Sequence, residues 1–161
     1  MSHSAGWIEI VNDDYPRLLV DRDVVVIRDS QPEHARLRGW LDSHDGPVPS
    51  YRIELATRVG HYTCPYTATA PDMFKALVRL RRQLEPDGLT VAVQGARRDT
   101  YPSGMARDMG GGMRIYVLKP GGRARMDDLV ETLDDAPPDQ IGTVDEQRAF
   151  ADAWLAERRK H

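Results

Sequence analysis

"YRIELATRVGHYTCPYTATAPDMFKALVRLRRQLEPDGLTVAV" spans residues 51–93, and two periodicities meet in it. In its first part Tyr51, Ile53 and Leu55 alternate with Arg52 and Glu54, and Tyr62, Cys64, Tyr66 and Ala68 share one side of a second run. Alternation predicts two strands with one half-buried face, and Gly60 between them predicts a hairpin. Pro65 has no amide to donate, so its strand is expected at a sheet edge or a bulge. From residue 73 the period lengthens. Met73, Leu77, Leu80 and Leu84 form one helical stripe, and Lys75, Arg79 and Arg82 form another that faces water. Thr69 and Asp72 have the spacing of a capping box, with Asp in place of Glu, and Pro71 suits a first turn. "PDG" at 86–88 ends the helix, and "LTVAV" at 89–93 reads as an apolar strand. Strand, helix and strand in this order imply a right-handed crossover with parallel strands.

Upstream, "WIEIV" at 7–11 is a candidate strand, and the β-branched residues of 17–30 predict one strand or two joined by a tight turn. Ala35, Leu37, Trp40 and Leu41, mixed with charges, predict a short helix over 32–43, followed by a loop at 45–50. Downstream, "MRIYVL" at 113–118 reads as a strand and 127–133 as a short helix. Thr143 with Glu146 forms a capping box for a last helix to about residue 157. That helix is expected to turn Phe150, Ala151, Trp154 and Leu155 inward, with Arg158, Arg159 and Lys160 at its negative end. The expected fold is α+β (or α/β): a single domain over 1–161, with one mixed sheet of about five to seven strands. Two or three helices pack mainly on one face.

A length of 161 residues suits one hydrophobic core. Apolar residues at 40% and charged residues at 29% exclude a disordered or fibrous chain. A net charge of −3 argues against a general nucleic-acid coat. The lone cysteine, Cys64, can form no internal disulfide, which fits a reducing compartment. The first residues lack the basic start and apolar run of a secretory signal, and no apolar stretch approaches the ~18 residues that span a bilayer. A cytoplasmic protein without membrane contact is expected.

The stretch between residues 93 and 113 has little periodicity. Structureless connections above ~12–15 residues are uncommon in compact domains and are usually functional or disordered. Tyr101, Met105 and Met109 are spaced by four and can share a face of a short helical turn, opened by Pro102 and capped by Ser103. With Arg97, Arg98 and Arg107, the amides of that turn could hold an anion. On the plainer view the arginines are solvated, the spaced residues fold the loop onto the core, and Gly110 to Gly112 permit a sharp return. Phosphate-loop signatures are missing: "GGGMR" lacks the Lys-Ser/Thr ending, and "MGGGM" precedes a strand rather than opening a helix.

Catalytic patterns are equally thin. Ser103 lacks the flanking glycines of a nucleophile elbow. His61 and Cys64 have no second pair to complete a structural zinc site, and Cys64 is expected to act as a small core hydrophobe. His34 and His44 read as surface residues, and Glu54 has no evident partner for acid–base work. No catalytic residue, metal or cofactor is assigned.

Charge is segregated along the chain. Residues 97–125 hold seven basic and two acidic residues, and 127–146 hold eight acidic residues and no Lys or Arg. Such blocks steer charged partners when they are free, and an acidic surface suits a basic protein. The plain alternative is two solvated blocks, with Asp127 and Asp128 stabilising a helix start.

"VQGARRDTYPSGMARDMGGGMRIYVL" and "GTVDEQRAFADAWL" together resemble small cytoplasmic bacterial immunity proteins, the partners of polymorphic or contact-delivered toxins, over roughly residues 91–155. The resemblance implies a protein that binds and neutralises a toxin domain without catalysis or cofactor. The expected function is therefore a non-enzymatic protein-binding module of the immunity type. Its candidate contact residues are Arg97, Arg98, Tyr101, Ser103, Arg107, Asp127, Asp128 and Glu131, with Tyr101 as an aromatic anchor. The alternative is an enzyme or sensor that holds a small anion or nucleotide in the loop 95–112. Self-association through the Pro65 strand or the last helix is a third expectation.

Overall fold

The computed structural model of the chain describes residues 15–44, 46–59 and 61–160. The candidate strand at 7–11, Gly60 of the expected turn, and the side chain of Cys64 lie outside the described residues. The described elements run β1 (Arg17–Arg28), β2 (Gln31–Ser43), β3 (Ser50–Val59), β4 (Tyr62–Ala70), α1 (Met73–Leu84) and β5 (Leu89–Val91). They continue as β6 (Thr100–Tyr101), α2 (Gly104–Gly110), β7 (Arg114–Val117), β8 (Leu129–Glu131) and α3 (Val144–Arg159).

The fold is α+β. Strands β1 to β5 make one sheet in the order β4-β3-β2-β1-β5, and β6-β7-β8 make a second, smaller one. Neighbouring strands in both are antiparallel. The strand–helix–strand unit does cross over between parallel strands of one sheet, but the two strands are not neighbours. Following the antiparallel steps across the sheet, β4 and β5 do point the same way, but they occupy opposite edges. Pro65 lies in β4, and a strand lacking one donor is suited to an edge. The chain returning from α1 therefore pairs with β1 instead, Val26 opposite Val91 and Arg28 opposite Leu89.

Helix α1 lies on one face of the large sheet. Its stripe is buried as the spacing predicts: Met73, Leu77, Leu80 and Leu84 are fully covered, and Phe74 and Ala76 join them. Each such large apolar side chain contributes about 1.5–3 kcal/mol by leaving water. The opposing face of the sheet comes from Val24, Val26, Leu37, Leu41, Ile53 and Leu55. The cap is Asp72 rather than Thr69: its Oδ1 accepts the Lys75 amide at 2.8 Å.

Two expected helices are strands or turns. Residues 32–43 form β2, because Ala35, Leu37, Gly39 and Leu41 are buried with period two. Trp40, which made the pattern look helical, faces the other way and lies under the Arg52 guanidinium at 3.9 Å. Gly39 hides the period by being small; a Cβ there would lie 2.9 Å from Met73 Cε. Residues 126–128 make one 3-10 turn, and 129–131 form β8, paired with β7. At 17–28 the chain is a single strand, β1. The last helix keeps its capping box, but Gln147 and Val144 are buried beside Ala151, while Leu155 is 43% exposed.

Candidate functional site

Residues 94–112 are a folded connection. A 3-10 turn at 94–96 runs beside 132–136: the Gln94 amide donates to Asp134 O and the Gly95 amide to Thr132 O, both at 2.8 Å. Short strand β6 follows, then α2. Ser103 caps α2 as predicted, its Oγ accepting the Ala106 amide at 3.0 Å. Gly111 and Gly112 both have positive φ, +63° and +69°. They press the end of α2 against the start of α1, where the Met73 amide donates to Gly111 O at 2.7 Å.

This arrangement opens a cleft of about 380 Å³ between α1, β6, α2 and α3. Five cationic side chains line it: Lys75, Arg79 and Arg82 from α1, Arg107 from α2 and Arg148 from α3. Residues 75, 79 and 82 share one helical stripe, and α1 contains no acidic residue. Tyr101 forms part of the wall, its ring edge-on to Phe74 with centroids 5.3 Å apart. The Arg107 guanidinium stands over both rings, 5.5 Å from Phe74 and 5.4 Å from Tyr101. Gln147 closes the interior end.

The charges are unevenly satisfied. Arg82 pairs with Asp145 at 2.9 Å, and Arg148 has only a distant contact with Asp152 at 3.9 Å. Arg79 donates to the Thr69 carbonyl at 2.7 Å. Among the described residues, Lys75, Arg79 and Arg107 meet no carboxylate. The lining contains no histidine, cysteine, serine or carboxylate. Chemically, it can bind and orient an anion against an aromatic ring. Among the described residues no cluster of three or more His, Cys, Asp or Glu side chains could hold a metal.

Behind the cleft lies a buried cation, Arg81, 2% exposed. It donates to Gln147 Oε1 at 2.6 Å, to Gly142 O at 2.9 Å and to Gly95 O at 3.3 Å. Burial pushes its pKa down to about 10, partly offset by Glu85, so it stays charged at neutral pH. Gln147 donates in turn to Gly95 O at 2.8 Å and Thr100 O at 2.9 Å. This network fastens α1, the 94–100 segment and the start of α3 to one another, and so fixes the cleft walls.

Of the eight candidate residues, the structure brings Tyr101 and Arg107 together in the cleft. The other two arginines serve structure. Arg97 forks onto Asp99 at 2.8 and 2.9 Å and reaches Gln94 Oε1, and Arg98 donates to Ile141 O and Asp139 O. Ser103 spends its hydroxyl on the α2 cap. Asp127 is exposed in the 126–128 turn. Asp128 is held by Lys119 at 2.8 Å, which lowers its pKa, and Glu131 pairs with Arg114 at 2.9 Å. The two opposite charge blocks of the sequence therefore neutralise each other in part: Arg114 and Glu131 are partners in the β7–β8 ladder. Asp135 of the same acidic block pairs with Arg22.

Sequence reasoning missed Lys75, Arg79, Arg82 and Arg148 because a polar helix face normally means solvent. The usable signal was the lack of any acidic residue along α1. No protein-family model matches the chain, and no curated protein sequence matches it significantly.

Proposed function

We propose that the protein is a binding module that takes an acidic segment of a partner protein into the cleft between α1, β6, α2 and α3. The observation that carries this is the set of five lining cations, three of which meet no carboxylate among the described residues. A concave site of one sign focuses the field and raises the local concentration of opposite charge. Arg107 over Tyr101 adds the two residue types enriched at binding hot spots. In the narrower form that the resemblance implies, the partner is a toxin domain and the module neutralises it in the cytoplasm. The polarity then differs from expectation: the contact surface is basic, because much of the stretch 127–146 is engaged in internal pairs.

A second reading, a sensor or enzyme for a small anion, is favoured by one observation. The cleft volume of about 380 Å³ falls in the ~300–1,000 Å³ range of small-molecule sites.

The test is a titration with a labelled hexaglutamate peptide and, separately, with inorganic pyrophosphate and a nucleoside triphosphate. The peptide is expected to bind, and Arg107→Ala and Lys75→Glu should each weaken it by about tenfold. That corresponds to one charge-assisted contact of ~1.4 kcal/mol. A rise in Tm with the triphosphate alone, abolished by Arg107→Ala, would favour the second reading. Binding of none of the three would refute both.

A further inference from the structure

Tyr101 also borders a second void. This apolar groove of about 110 Å³ lies along α3 and is lined by Tyr116, Leu118, Ala124, Trp154 and Leu155. Tyr101 belongs to both walls. We infer that the partner segment is amphipathic, with an apolar anchor residue in this groove about three positions from the acidic residues held by the cleft. The inference rests on the acidic-partner reading above and adds the composition and spacing of the segment.

Three observations carry it. First, one stripe of α3 serves both halves: Val144, Gln147 and Arg148 face the cleft, and Ala151, Trp154 and Leu155 face the groove. A ligand lying along α3 meets cations and then carbon. Second, most of the lining is carbon, and two of its polar atoms are engaged elsewhere. Ser103 Oγ accepts the Ala106 amide, and Trp154 Nε1 donates to Lys119 O at 2.9 Å. The groove therefore offers carbon surface, and Leu155 stays 43% exposed on its rim. Third, the size suits one side chain. At ~30 Å³ per water, the volume equals roughly four waters, the room of one leucine-sized group.

The spacing follows from geometry. From Arg148 to Leu155 the helix advances about 10 Å at ~1.5 Å per residue. An extended peptide covers that distance in about three residues at ~3.3 Å each. The five cleft cations make the occupant acidic at one end, and the groove makes it apolar at the other. Both parts lie open on the surface with their walls on several elements, which suits a chain segment laid across them.

The experiment compares labelled peptides: three glutamates, two serines and a leucine; the same with serine in place of leucine; and both in reversed order. In at least one direction, leucine should tighten binding on the order of tenfold or more. Ala124→Phe, at an exposed lining position, should remove that gain and leave the serine peptide's affinity unchanged. Leu155→Gln gives a second variant on the rim should the first fail to fold. Equal affinities for leucine and serine peptides would overturn the anchor while leaving the acidic reading intact. Failure of every peptide would overturn both. Tighter binding of octyl phosphate than of any peptide would overturn the assignment to a protein segment.

Discussion

Arg81 is a charge that should be costly to bury, yet it is 2% exposed. It is tolerated because backbone carbonyls and Gln147 surround it, and charge-assisted hydrogen bonds are the strong ones. Removing it takes the guanidinium from the Gly142 carbonyl and the Gln147 amide oxygen, while Gly95 O keeps the Gln147 amide as donor. Each buried acceptor left unsatisfied costs about 1–3 kcal/mol. With two such acceptors, Arg81→Met should lower Tm by at least about 4 °C in thermal unfolding followed by circular dichroism. A change within about 1 °C would mean that water satisfies those carbonyls as well as the guanidinium does. Gly112 makes a separate residue-level case. Its φ is +69°, and a Cβ would lie 2.8 Å from the Phe74 amide nitrogen and 2.6 Å from Asp72 Oδ1. Alanine there is strained in φ and presses on backbone. Gly112→Ala should destabilise by about 1–3 kcal/mol, whereas Gly110→Ala, which meets nothing within 4 Å, should be near neutral or slightly stabilising by the same assay. Tyr101 is a poorer probe of binding than the sequence implies. Its ring packs on Phe74, so Tyr101→Ala removes an aromatic contact of about 0.5–1.5 kcal/mol as well as any ligand contact.

Among the elements, α3 begins with a reciprocal cap. The Thr143 amide donates to Glu146 Oε1 at 2.8 Å, and the Glu146 amide donates to Thr143 Oγ1 at 3.0 Å. The Thr143 amide and hydroxyl hold the Glu146 carboxyl below its ordinary 4.5. The folded protein thus favours the ionised form. Its contribution to stability is complete above pH 4.5 and is lost as pH falls through the lowered folded value. Asp128, lowered from 3.8 by Lys119, acts in the same direction somewhat lower. Tm should stay level from neutral pH to about 5 and fall below it, and Glu146→Gln should flatten the upper part of that fall. An identical acid slope in wild type and variant would remove Glu146 from the account.

This cap was legible in the sequence, as were α1, the β3–β4 hairpin and the Ser103 cap, because each is written in local spacing. Strand β2 was not. Its buried series passes through Gly39, and Trp40 supplies a false helical partner on the outer face. Strand β8 was missed because Asp127 and Asp128 imitate a helix start, while its pairing with β7 is non-local. The cleft was half legible. Tyr101 and Arg107 lie in the conspicuous loop, but the remaining cations belong to helix faces that only tertiary packing turns toward it.

At the scale of the whole molecule, a chain of net charge −3 carries a basic cleft. Its total charge therefore does not favour an acidic partner at long range; attraction arises only near the cleft, where five cations outnumber the two acids that contact them, Asp145 and Asp152. Near-field attraction is screened when ionic strength shortens the Debye length, from about 10 Å at ~0.1 M to about 3 Å at ~1 M. Burial of an anchor side chain has no such dependence and is strengthened, if anything, by excluded salts. The two parts of the proposed site can thus be separated in a single salt series. For the hexaglutamate peptide, Kd should rise by at least about tenfold between ~0.05 M and ~0.5 M NaCl. For the peptide carrying an apolar anchor, the Kd should rise in parallel, but its advantage over the serine peptide should hold constant across the series. A Kd for hexaglutamate that does not move with salt would mean that the cleft cations are not what binds it. An anchor advantage that vanishes with salt would mean that the leucine acts by positioning the acids and makes no apolar contact of its own.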